Sequence, residues 1–226
     1  MRDTRRDKVY FDKFIANDKR RMKRFLTEIE AGKYPEDRVG SIKDYVHMIW
    51  TGVTIAKYSR GDKLEKLKKE YLAELDRYWD WVDTSGYSCN LEDCSLAYLL
   101  GADDELLLKM RDMIHKNNVR KSFDWITDFI LTGDRELIGS TKLAWQKPNY
   151  LLEEAITNCS AEPLKTYLSR WYNTNRSLGW YDSHKDENTE LYFGYWCFEV
   201  AAIAKRLGID DILIRDNKYY PRDLTE

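Results

Sequence analysis

The sequence has no uninterrupted apolar run of about twenty residues, so no segment reads as a membrane-spanning helix. Its opening, MRDTRRDKVYFDKF, is charged throughout and carries no apolar core for a signal peptide, which gives a cytoplasmic reading. Cysteine is sparse: the four residues at 89, 94, 159 and 197 form no CxxC pair, and in a chain of 226 residues they make a poor disulfide framework. They are expected as reduced, partly buried thiols. Histidine is scarcer still, with three residues, and His47 and His115 fall inside helical patterns with no nucleophile arrangement beside them. No turn joins two alternating runs as a hairpin would, so a substantial sheet is excluded from the expected fold.

What is present is a globular composition: 43% hydrophobic, 14% aromatic and 34% charged residues, which suits a large core and neither a disordered tail nor a membrane protein. Eight Trp and sixteen Tyr must mostly be buried or used at an interface, and helices this rich in aromatics can also carry a homodimer interface. The net charge of −2 conceals a division along the chain. Residues 1–24 hold ten Lys or Arg against four Asp, while the remainder carries 27 basic and 35 acidic residues. The chain is therefore bipolar.

Helical periodicity runs almost throughout. Over residues 62–82, Leu64, Leu67, Tyr71, Leu75, Tyr78 and Val82 recur three or four apart, with Glu65 and Lys69 on the opposite face and Asp62 and Glu65 as an expected capping pair after Gly61. A first helix over residues 4–31 is expected to bury Tyr10, Phe11, Phe14, Ile15, Met22, Phe25, Leu26 and Ile29. A second is expected to start at Ser41 as cap and run to about Tyr58. Shorter helices fit residues 90–100, 103–116, 122–132, 134–145, 149–158 and 161–174. The expected fold is all-α: a multi-helix bundle of two tightly packed halves, 1–117 and 118–226, with the soft boundary in the aperiodic stretch Asn117–Lys121.

The segment YFGYWCFEVAAIAKRLGIDD, from Tyr192 to Asp211, reads as a helix that is apolar almost all round and so belongs in the middle of a bundle. Glu199 lies at the margin of its apolar face. A buried lone carboxylate costs several kcal/mol or takes up a proton, so pairing is expected, with Tyr195 and Arg206 as candidates one and two turns away.

The run GYWCFEVAAIAKRLGIDD followed by NKYYPRDL resembles the C-terminal part of the PoNi family of immunity proteins. The likeness rests on Gly194, Tyr195, Trp196, Phe198, Glu199, Ala201, Ala202, Gly208, Ile209, Asp210, Asp211, Tyr219, Tyr220, Pro221, Asp223 and Leu224. Cys197 departs from the small residue expected there, and Ile212 from a frequent Ser. The N-terminal half is similar more loosely, in its charged first helix with Tyr10 and Phe14 and in the YSRGD turn from Tyr58 to Asp62. The resemblance implies an all-helical cytoplasmic protein that binds and neutralises a cognate PoNe-type DNase toxin of a polymorphic or type VI secretion system. It implies no catalysis and no cofactor.

A DNase holds phosphates with Lys and Arg, so its inhibitor gains association rate and selectivity from complementary carboxylates. Two acidic surfaces qualify as partner-binding: Asp103, Asp104 and Glu105 at a helix start, and the loop carrying Asp182, Asp186, Glu187 and Glu190, with Trp180 and Tyr181 as aromatic anchors. Each has a plainer reading, as a favourable helix terminus and as a solvated loop.

Two other classes compete. Lys19, Arg20, Arg21, Lys23 and Arg24 form a basic run suited to a helical nucleic-acid-binding module, although Asp12 and Asp18 dilute it and direct nucleic-acid binding is not expected. An enzyme would need a constellation the sequence does not offer: Asp182, His184 and Asp186 lack the glycine and spacing of a calcium loop, and GSTK at Gly139–Lys142 has the phosphate-loop order scrambled. No catalytic residue and no metal site is assigned.

Overall fold

The computed structural model describes residues 1–117, 119, 121–186 and 190–226. Among the described residues the chain is all-α, with no strand. It forms two compact units: one from Met1–Asp83 with Leu178–Tyr195, the other from Thr84–Ser177 with Trp196–Glu226. The expected midpoint near residue 117 falls within the second unit.

The first unit is built on three helices, α1 (Lys8–Glu30), α2 (Glu36–Arg60) and α3 (Leu64–Trp79), with α1 packed on α2 and α2 on α3. Asp7 caps α1, accepting the Tyr10 amide at 2.8 Å, so the helix starts at Lys8 and not at residue 4. Phe11, Phe14, Ile15 and Met22 are buried as expected, while Tyr10, Phe25, Leu26 and Ile29 are only half-buried. The helix α2 begins at Glu36 behind Pro35, earlier than the expected cap at Ser41. Its acidic first turn, Glu36 and Asp37, meets the positive end of the macrodipole, and Ser41 spends its hydroxyl on the Arg38 carbonyl.

Gly61 ends α2 in the left-handed conformation, φ +93°, where a Cβ would also come within 3.0 Å of the Met1 backbone. Asp62 does not cap α3; both its carboxylate oxygens face Arg60, at 2.6 and 2.7 Å, and Lys63 occupies the cap position. The Leu67, Tyr71, Leu75 and Tyr78 stripe of α3 is buried, with the Tyr71 ring stacked on Trp50 of α2 at 4.7 Å and 12°. Such a pair adds about 0.5–1.5 kcal/mol beyond the area it buries.

The second unit holds α4 (Tyr87–Leu99), α5 (Asp104–Asn117), α6 (Trp125–Thr132), α7 (Gln146–Asn158), α8 (Ala161–Thr174) and α9 (Phe198–Leu207). The helix expected over residues 134–145 is not formed; only a short 3-10 turn, Arg135–Leu137, lies there. The segment is tied back as a loop, because Thr141 accepts the Trp125 amide at 2.9 Å and Asp124, the cap of α6, accepts the Ala144 amide at 3.0 Å.

The aromatic segment is helical only from Phe198 onward. Gly194, at φ +126°, lies far from helical geometry, and the Cys197 amide donates to the Tyr219 carbonyl at 2.8 Å. From Phe198 to Ala204 every residue of α9 is buried, against α4, α6, α7 and α8.

Candidate functional site

The carboxylates proposed from sequence fall on two surfaces. In the first unit, residues 178–186 and 190–195 fold back on α1. The Trp180 ring lies 5.2 Å from that of Tyr195, whose hydroxyl donates to the Trp180 carbonyl at 3.2 Å, so this half-buried anchor also packs its own loop. Tyr181 is half-buried. Asp182 takes up a left-handed conformation, φ 60°, and pairs with Lys185 at 2.8 Å. The Asp186 carbonyl accepts Arg6 at 2.8 Å.

Glu190 reaches Lys13 at 2.5 Å and accepts from Asn17. The hydrogen bond from Lys13 holds its carboxyl below the usual range. Glu187 lies outside the described residues. Loop acids and first-helix bases therefore meet, and part of the sequence bipolarity is spent inside this unit.

The second surface is the start of α5. Asp103 accepts the Leu106 amide at 2.9 Å and so serves as a cap, while Asp104 and Glu105 are exposed. The helix-terminus role and an outward-facing charge coexist there.

The basic run of α1 is partly neutralised. Arg21 pairs with Asp18 at 2.6 Å and also reaches the Tyr45 hydroxyl, Arg20 donates to Asn17, and Arg24 lies over the Phe25 ring at 4.8 Å. Arg20, Arg21 and Arg24 line a cavity of about 540 Å³, but Asp18 and Glu190 share its wall.

Glu199 is buried at 8% exposure, in the first turn of α9. One of its oxygens, Oε1, accepts the Trp171 indole N–H at 2.8 Å and the Tyr167 hydroxyl at 3.0 Å. Burial raises its pKa, and the donors oppose that rise. The expected partners are replaced: Tyr195 belongs to the first unit, where it meets His184 and Trp180, and Arg206 donates to the Ile130 and Leu131 carbonyls at 2.9 and 2.8 Å. Tyr167 and Trp171 stand four apart on α8, on one helical face, which was the one sequence signal that could have paired them with a buried acid.

The four cysteines are free; Cys94 and Cys197 are buried, and burial pushes both thiols up, away from nucleophilic use. Among the described residues, no group of three His, Cys, Asp or Glu is placed to hold a metal, and no helix is long and apolar enough to cross a membrane.

The buried acid is held by tyrosine and tryptophan as part of an all-helical scaffold, and of the carboxylates singled out from sequence Asp104, Glu105 and Asp186 remain exposed. Residues 4–111 match the family model described as PoNe immunity protein (PoNi), N-terminal, and residues 123–224 match that of PoNe immunity proteins (PoNi), C-terminal. The chain belongs to the PoNi family of immunity proteins, which neutralise PoNe nuclease toxins; its function is to bind and neutralise a cognate DNase toxin. No curated protein and no solved structure matches it.

Proposed function

We propose that this immunity protein works in the bacterial cytoplasm as a stoichiometric plug, with no chemistry of its own, guarding a cell that delivers its nuclease through a polymorphic or type VI secretion system. The observation that carries this reading is the family match across both halves of the chain. The toxin-facing charge is assigned to the two acidic surfaces, the loop with Trp180, Tyr181, Asp182, Asp186, Glu187 and Glu190, and the α5 start with Asp103, Asp104 and Glu105. Carboxylates there would meet the Lys and Arg that a DNase must present to phosphates, raising the encounter rate and rejecting unrelated partners.

Co-expression with the nuclease encoded immediately upstream tests the reading. Cells carrying both are expected to survive, and the two proteins to co-purify and to leave DNA uncut in vitro. Death of the co-expressing cells, or inhibition without a complex, would overturn it.

A further inference from the structure

Residues 2–6, ahead of α1, are anchored on the C-terminal end of α2. The Arg2 and Asp3 amides both donate to the Ser59 carbonyl at 3.0 Å, and the Arg2 guanidinium donates to the Tyr58 and Asp62 carbonyls at 3.1 and 2.9 Å. A cation thus sits at the negative pole of the α2 dipole. Ser59 in turn donates its hydroxyl to the Phe193 carbonyl at 2.8 Å, so the anchor and the returning loop share one residue.

Asp3, 1% exposed, is the node between this segment and the loop. One carboxylate oxygen accepts the Tyr192 hydroxyl and, at 2.9 Å, the Arg5 guanidinium, while the other accepts the Arg5 amide at 2.9 Å. A charge buried that deeply is tolerated because it is paired and hydrogen-bonded. Arg5 also lies 5.3 Å over the Tyr195 ring, and Arg6 donates to the Asp186 carbonyl at 2.8 Å. The Tyr192 and Tyr195 rings meet edge-on at 4.7 Å, and the Tyr195 hydroxyl reaches the Trp180 carbonyl at 3.2 Å and His184 Nδ1 at 3.0 Å. Direct contacts therefore run from Asp3 to the backbone on both sides of Asp182.

We infer that residues 2–6 are a clasp that sets the toxin-facing loop in its binding geometry, with Asp3 as the positioning residue. This role rests on the assignment of the loop to the toxin surface. Without the clasp the loop samples more conformations, and only the competent fraction can bind, so the apparent affinity falls by that fraction. The loss falls on association. Contacts made after docking are unchanged, and dissociation keeps its rate.

The test combines hydrogen exchange of the full chain with binding kinetics against the upstream-encoded nuclease, inactivated at its catalytic residues. Asp3→Ala is expected to speed amide exchange in residues 178–186 and 190–195 while the helices of the second unit keep their protection. A competent fraction of about one fifth slows association about fivefold, with dissociation unchanged. The slowing is expected to persist at about 1 M salt, which separates positioning from the change of one charge. In a protein that already carries Asp182→Lys and Asp186→Lys, Asp3→Ala is expected to add no further slowing, because both changes act through one loop. A merely structural role for Asp3 would act equally in both backgrounds.

Unchanged loop exchange in Asp3→Ala overturns the clasp, and so does faster exchange with an unchanged association rate; the immunity reading survives either result. If Asp3→Ala fails to fold, Tyr192→Phe decides alone, since it keeps the ring and the pair between Asp3 and Arg5. Faster loop exchange with slower association in that variant supports the clasp, and any other result overturns it. If the unmodified protein binds and the loop reversal has no effect, the loop is not the toxin surface and the clasp falls with it. If the unmodified protein does not bind at all, the immunity reading itself falls, and the positioning role with it.

Discussion

The Trp171 indole nitrogen donates to Glu199 Oε1 at 2.8 Å, and the Tyr167 hydroxyl reaches the same oxygen at 3.0 Å. Both donors are on α8 and the acceptor is on α9, so one atom joins two helices through a buried interface. Truncation by Glu199→Ala strands two buried donors, each worth about 1–3 kcal/mol. A total near 3 kcal/mol lowers the melting temperature by roughly 6–12 °C in a chain of this size. Glu199→Gln keeps an acceptor oxygen and is expected to cost less, about 1 kcal/mol. In either variant the loss of stability should exceed any loss of nuclease affinity measured below the unfolding transition. An unchanged melting temperature for both would remove Glu199 from the scaffold.

A pH dependence follows from the acids of the same unit. Burial first, and then the neighbouring Asp93 and Glu199, push the half-buried Glu92 carboxyl from its ordinary 4.5 to about 8, and Glu199 is also raised. With folded values above unfolded ones, the native state holds more protons than the unfolded state between about pH 4.5 and 8. Their contribution to stability is then full below the unfolded value and is lost as pH rises through that window. Chemical denaturation at pH 5 and pH 8 is expected to give the higher stability at pH 5 from these groups, and Glu92→Gln should flatten the difference. A variant that keeps the full slope would show that other groups produce it.

Much of the scaffold was legible in the sequence because its signals are local. Gly61 stops α2, and the Leu67, Tyr71, Leu75 and Tyr78 stripe buries α3 as the spacing requires. The start of α9 was not legible. An apolar run has the same composition whether helical or extended, so periodicity could not separate Tyr192–Cys197 from the helix that follows; the left-handed Gly194 and the bond from Cys197 to Tyr219 decide it. The partners of Glu199 sit 28 and 32 residues away on another helix, and Lys13 meets Glu190 across most of the chain. Local spacing shows that a buried acid needs donors, but tertiary packing chooses them.

Arg206 is expected to be a strong point of the second unit. It donates to the Ile130 and Leu131 carbonyls at the C-terminal end of α6 and lies 3.9 Å over the Tyr98 ring. The cation thus meets the negative end of a helix dipole and a π face together. Arg206→Ala is expected to cost about 2–4 kcal/mol, and Arg206→Lys to recover less than half of it, because an ammonium cannot bridge two carbonyls and stack. Full rescue by lysine in urea unfolding would show that charge alone matters there.

The loop of the first unit separates attraction at a distance from contact. Asp182 already pairs with Lys185 at the surface, where solvent screens the pair and it contributes little to folding. Reversing Asp182 and Asp186 to lysine should therefore leave the melting temperature nearly unchanged. If this face meets the basic side of the nuclease, the reversal places like charges along the approach path. Association is expected to slow by about tenfold at low salt. Raising the salt to about 1 M, where the Debye length is about 3 Å, should erase most of the difference between the variant and the unmodified protein. A slower rate that persists at high salt would instead mark a lost short-range contact, and equal rates at all salt concentrations would exclude this loop from the toxin-binding surface.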